Sequence, residues 1–114
     1  MGVHNYLHEM TEAWDTERIT DPGNGGAIPV TQSGLCAMVS AGAETRTLAA
    51  PARACQQLVL NAKTVTTSIT LTCATGLNQA GDTEALFDAD GETLFLFSVY
   101  VGANLRWRIV ENPL

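Results

Sequence analysis

Charge is scarce in this chain. Of its 114 residues, 16% are Asp, Glu, Lys or Arg, and only six are cationic. A nucleic-acid binder needs Lys and Arg clustered against phosphates, and a formal net charge of -6 argues against one. The same balance argues against an anionic membrane surface. Long apolar runs are also missing. The longest, 94–101, is interrupted by Ser98 and falls far short of the roughly 20 residues a membrane-spanning helix needs. No basic region followed by an apolar stretch opens the chain at Met1-Gly2-Val3-His4-Asn5, so no signal peptide is expected. Cysteine is limited to Cys36, Cys55 and Cys73, an odd number without a C-x-x-C pair. That is neither a disulfide framework nor a zinc motif, and three buried free thiols in a reducing compartment are expected. Histidine occurs only as His4 and His8, remote from the body of the chain.

What the chain does have is apolar surface, with 46% hydrophobic residues on a length that suits one domain. A small monomer with so little charge hides its surface most simply by self-association. Residues 4–18, "HNYLHEMTEAWDTER", place Leu7, Met10 and Trp14 at helical spacing with Tyr6 beside them and acids opposite. An amphipathic helix and an extended arm both fit. Asp21-Pro22-Gly23 ends the segment either way. Beyond Ala27 the period changes to two. In "VTTSITLTCA", 65–74, Val65, Ile69, Leu71 and Cys73 alternate with Thr and Ser, which predicts a strand with one buried face. In "ETLFLFSVYV", 92–101, Leu94 and Leu96 take one face and Phe95, Phe97, Val99 and Val101 the other. With both faces apolar, the strand is central or its second face meets another subunit. "LRWRIV", 105–110, alternates again, with Trp107 expected in the core and Arg106 and Arg108 exposed or paired with carboxylates. Asp90-Gly91 reads as a two-residue hairpin turn, Gly102-Ala103-Asn104 as the next connection, and weaker strands are expected at 35–40, 45–49 and 55–61. Six to eight short strands and no internal repeat give an all-β fold, a compact β-sandwich or jelly-roll-like barrel with an N-terminal arm. The expected organisation is an arm at 1–20, a glycine-rich hinge at 21–26 and a β domain at 27–114.

Catalytic patterns fail one by one. "DPGNGGAI" lacks the lysine of a phosphate loop, and its glycines are wrongly spaced for a dinucleotide site. His4, His8 and Glu12 would share a helical face, but nothing around them supplies an outer shell for a metal. "DTEALFDADGE" puts Leu86 where an EF-hand needs its first ligand. No G-x-S-x-G occurs, and the paired carboxylates sit in a turn with nothing to desolvate them. No enzyme activity, cofactor or metal is expected.

The order "ITDPGNGGAIPVTQSGLCAMVSAGAETRTLAAP", an alternating strand pair, then "GLNQAGDTEALFDADGETLFLFSVYVGANLRWRIVEN" resembles the small β-sandwich capsid decoration, or cement, proteins of bacteriophages. The shared cues are Thr47-Leu48-Ala49-Ala50-Pro51 and a "G-x-x-L-R-W-R" hairpin, here Gly102 and Leu105 to Arg108. The similarity spans about residues 19 to 112 and leaves the arm unmatched. It implies a virion structural protein, folded in the bacterial host cytoplasm and placed on the outer capsid surface. Its partners would be the major capsid protein and itself, as a homotrimer, with no catalytic residues. Tyr6, Leu7, Met10 and Trp14 are the expected partner-binding residues of the arm. Phe95, Phe97, Val99 and Val101 are the expected oligomer interface. The alternative is a carbohydrate- or receptor-binding module of a head or tail fibre, which would need an exposed aromatic platform.

Overall fold

The computed structural model describes residues 18–110. Nine strands and no helix occur among them: β1 (Arg18–Ile19), β2 (Gly26–Ile28), β3 (Gly34–Val39), β4 (Ala43–Leu48), β5 (Gln57–Thr64), β6 (Ser68–Thr72), β7 (Glu84–Phe87), β8 (Thr93–Val101) and β9 (Asn104–Ile109). They form a five-stranded sheet, β1-β3-β5-β8-β9, and a four-stranded sheet, β2-β4-β6-β7. The all-β class is therefore as the alternation predicts.

The connectivity is not a chain of hairpins. From β1 to β6 the chain crosses between the sheets at every step, so β1, β3 and β5 are parallel in one sheet and β2, β4 and β6 are parallel in the other. Three coils stack in this way. The last three strands close them with antiparallel pairings, β7 on β6, β8 on β5 and β9 on β8. Parallel neighbours need a long crossover, and here each crossover is itself a strand of the opposite sheet. The coils are unequal: Arg18 stands beside Leu35, and Leu35 beside Val59. No fixed period reaches the sequence for that reason.

Asp90-Gly91 is accordingly not a hairpin turn, because β7 and β8 lie in different sheets. The Gly91 N–H donates to the Ala62 carbonyl, and Ala62 N–H to the Glu92 carbonyl, which extends the β5–β8 ladder. Asp90 accepts the Val65 N–H at 2.7 Å. Glu92 accepts the N–H groups of Asp88 and Ala89, and these bonds hold its carboxyl below the usual range. The β8–β9 connection is a true two-residue hairpin. Val101 faces Asn104 across Gly102-Ala103, with Gly102 in the left-handed region at φ 62°.

Each strand sends alternate residues between the sheets. Met38, Leu58, Leu60, Ala62, Leu96 and Trp107 from the larger sheet meet Ile28, Leu48, Ile69, Leu71 and Phe87 from the smaller in one core. Complete burial of each Leu, Ile, Met or Phe side chain among them contributes about 1.5–3 kcal/mol. Trp107 is fully buried, as its alternation predicts, and its indole N–H donates to the Ala49 carbonyl at 2.9 Å. Gln56 is equally buried. Its Oε1 accepts the Ala52 and Arg53 N–H groups, and its Nε2 donates to the Val30 carbonyl.

The expected hinge and its boundaries need correction. Arg18–Ile19 already pairs with β3, so the body begins at 18 rather than 27. The segment 21–26 is the first crossover and is fixed at several points. Asp21 accepts the N–H groups of Gly23 and Val39, and Asn24 accepts that of Thr45. Gly26 lies so close to Pro22 that an added Cβ would meet the proline Cβ at 2.5 Å.

What fixes this crossover is Arg46, which alternation aims into the core from β4 and which is fully buried. All five of its N–H donors are taken. Nε and Nη2 grip the two Asp21 oxygens at 2.8 and 3.1 Å, Nη1 donates to Glu44 and the Thr45 carbonyl, and Nη2 also reaches the Val39 carbonyl. Burial alone would raise the Asp21 carboxyl. The Arg46 guanidinium and the two N–H groups outweigh it and hold Asp21 below its usual range.

Candidate functional site

The chemistry-bearing residues of the body are mostly consumed by the fold. Ser98 is buried, accepts the Gln56 N–H and donates to the Arg53 carbonyl at 2.7 Å. Cys36 is fully buried, and burial with the nearby Asp21 charge pushes its thiol up to about 11, which makes it a poor nucleophile. All three cysteines are free thiols, but Cys55 is exposed, a departure from the expected burial. It sits in the turn before β5 with φ at 63°, beyond the alternation that buries Cys36 and Cys73. Among the described residues no three His, Cys, Asp or Glu side chains come together as a metal site. His4, His8 and Glu12, and the arm residues Tyr6, Leu7, Met10 and Trp14, lie outside the described residues.

The distinctive surface is the outer face of the five-stranded sheet. Phe95, Phe97, Val99 and Val101 all project from the same side of β8, opposite Leu96 and Ser98, which face the core. Phe95 is 53% exposed and Val101 45%, while Phe97 and Val99 are half-buried. Strand pairing widens the patch. Val59 and Gln57 of β5 lie beside Phe95 and Phe97, and the Val110 N–H donates to the Phe95 carbonyl from the other side. Between these side chains opens a cavity of about 500 Å³ lined by Gln57, Val59, Phe95, Leu96, Phe97 and Val110. The cavity is half open to solvent, and its mostly apolar lining suits a large apolar side chain.

Polar neighbours frame the face on one side. Arg106 and Arg108 of β9 lie beside Val99 and Phe97 and are half-buried. Each donates from Nη1 to the carbonyl of the preceding residue at 2.8 Å, and neither meets a carboxylate among the described residues. Of the two alternatives expected from the sequence, exposed or paired with the chain's own acids, pairing is not seen within residues 18–110.

Alternation in 92–101 is enough to pick out the four β8 residues. Val59, Gln57 and Val110 are missed by sequence reasoning because only strand pairing brings them to the cavity. The outward register of "QLVLNAKT" is the one signal that points to Val59. The four-stranded sheet offers a contrast, with Thr45 and Thr47 of β4 beside Thr70 and Thr72 of β6 on its outer side. Antiparallel strands such as β8 ordinarily set an apolar inner side against a polar outer one, so the apolar outer side of β8 is the anomalous one.

No family model matches this chain, and neither a curated protein nor a solved structure matches it.

Proposed function

We propose that this chain is a virion structural protein of a bacteriophage, a decoration protein that binds the major capsid protein lattice and stabilises the head. The observation that carries the reading is the open apolar face around Phe95 and Phe97, on a body whose reactive groups are spent on structure. The resemblance of residues 19–112 to cement proteins supplies the class. In this reading Phe95, Phe97, Val99 and Val101 pack around a three-fold axis in a homotrimer. Three copies then present three capsid contacts at once, so individually weak contacts sum through effective concentration. Tyr6, Leu7, Met10 and Trp14 of the arm engage the capsid protein or a neighbouring copy.

The test is self-association followed by particle binding. Wild-type chain should sediment as a trimer at micromolar concentration and bind purified heads. Phe95→Asp should yield a folded monomer, since a buried unpaired carboxylate would be required in the trimer. A wild-type chain that stays monomeric and leaves heads unlabelled would sink the proposal. The fibre-module reading gains nothing from Trp107, which is buried, and would be supported instead by specific binding on a glycan array.

A further inference from the structure

Charge is segregated along this chain. Residues 1–17 hold Glu9, Glu12, Asp15 and Glu17, four of the twelve acids, and none of the six cations. The five-stranded sheet is the reverse. Its strands contain Arg18, Lys63, Arg106 and Arg108 and not one Asp or Glu. The apolar complement is matched too, because the segment offers Leu7, Met10 and Trp14 and the face offers the cavity at Val59, Phe95 and Val110.

The point of attachment completes the match. Arg18, Leu35, Val59 and Phe95 stand side by side across β1, β3, β5 and β8, and Val110 follows through its bond to Phe95. Residue 17 therefore joins the body at one end of the transverse row that holds the cavity. Three strand spacings of about 4.8 Å separate β1 from β8 by about 14 Å. Trp14 precedes Arg18 by four residues, and four residues span at most about 13 Å when extended.

We propose that in the unassembled chain residues 1–17 lie across the outer face of their own five-stranded sheet. Trp14 fills the cavity at Phe95 and Val110, and the segment's carboxylates face Arg106 and Arg108. A tethered segment acts at an effective concentration on the order of millimolar, so a trimer that forms at micromolar concentration must gain more from the face than the segment does. A second copy that docks on the face must displace the segment, so the two compete for one surface. The capsid reading is not needed for this inference, and particle binding measures that reading separately.

Disulfide trapping in the full chain tests it. Cys55→Ser removes the exposed thiol and leaves the buried Cys36 and Cys73. In that background Trp14→Cys is paired with Val59→Cys, which lines the cavity two strand spacings from β1, or with Thr47→Cys on the outer side of the other sheet as control. Under mild oxidation at nanomolar protein, the Val59 pair should close within one chain at least about tenfold faster than the Thr47 pair. Equal rates overturn the proposal, and so do disulfide-linked dimers in place of the intrachain bridge. Because Trp14→Cys removes the anchor itself, a second measurement keeps it. Trp107 is fully buried, so acrylamide quenching of native fluorescence reports on Trp14. Trp14 should be shielded in the wild-type chain and accessible in Phe95→Ser. Equal quenching of the two chains would overturn the proposal.

Discussion

Asp21→Ala should cost this protein more stability than any change in its glycine cluster suggests. The substitution removes the carboxylate that holds Nε and Nη2 of Arg46 at 2.8 and 3.1 Å and accepts the Gly23 and Val39 N–H groups. Arg46 has no exposed side-chain surface, so water cannot replace the lost partner without opening the crossover. Removing one member of a buried ion pair costs about 3–5 kcal/mol. Glu44 stays on Nη1 at 3.0 Å, and Asp21 itself is 19% exposed, which favours the lower end. A loss of about 3 kcal/mol is a large share of the 5–15 kcal/mol typical of whole domains, and lowers Tm by about 12–24 °C at this size. Differential scanning calorimetry or urea unfolding reads it directly. Asp21→Ala combined with Arg46→Met should be more stable than Asp21→Ala alone, because an apolar replacement leaves no unpaired charge. The pH dependence has a definite sign. Asp21 titrates below its unfolded value, so its stabilisation is full above about pH 4 and is lost as pH falls through the depressed folded value. Wild-type stability should fall in acid over that window, and Asp21→Asn should flatten the fall. A Tm change under about 4 °C for Asp21→Ala, or a double variant no better than the single, would refute the reasoning.

Other expectations concern separate parts of the molecule. Native protein treated with an alkylating reagent should lose one thiol, Cys55, while Cys36 and Cys73 react only after unfolding; a disulfide in unreduced protein would contradict the free-thiol assignment. Gly26→Ala should destabilise by about 1–3 kcal/mol, since its Cβ would meet Pro22 backbone as well as side chain, and unchanged urea unfolding would show that the crossover yields more easily than its hydrogen bonds imply. Trp107→Phe should cost about 2–4 kcal/mol through a cavity and an orphaned Ala49 carbonyl, read as a lower urea midpoint at constant m. Arg106→Ala with Arg108→Ala should leave the melting temperature within a few degrees, as both guanidinium groups bond only to adjacent carbonyls among the described residues.

Local pattern sufficed for much of this protein. Period-two alternation identified the class, the buried side of Ile69, Leu71 and Cys73, the core position of Trp107 and the common face of Phe95, Phe97, Val99 and Val101, which the structure shows to be the outer one. These are properties of neighbours along the chain, and the pleat alone decides which side each takes. Pairing is a property of residues far apart, and there the pattern was silent or misleading. Asp90-Gly91 has the composition of a hairpin turn, yet it crosses between sheets, since β8 pairs with β5 while β7 pairs with β6 in the other sheet. "DPGNGG" has the composition of a hinge, yet Arg46, 25 positions after Asp21, reaches back and fixes it. An arginine on an alternating strand carries no mark that it will be buried; only the arrival of Asp21 from another coil supplies the charge and acceptors that permit it. The cavity follows the same rule. Phe95 and Phe97 were legible from alternation, whereas Val59 and Val110 join them only when three strands are laid side by side.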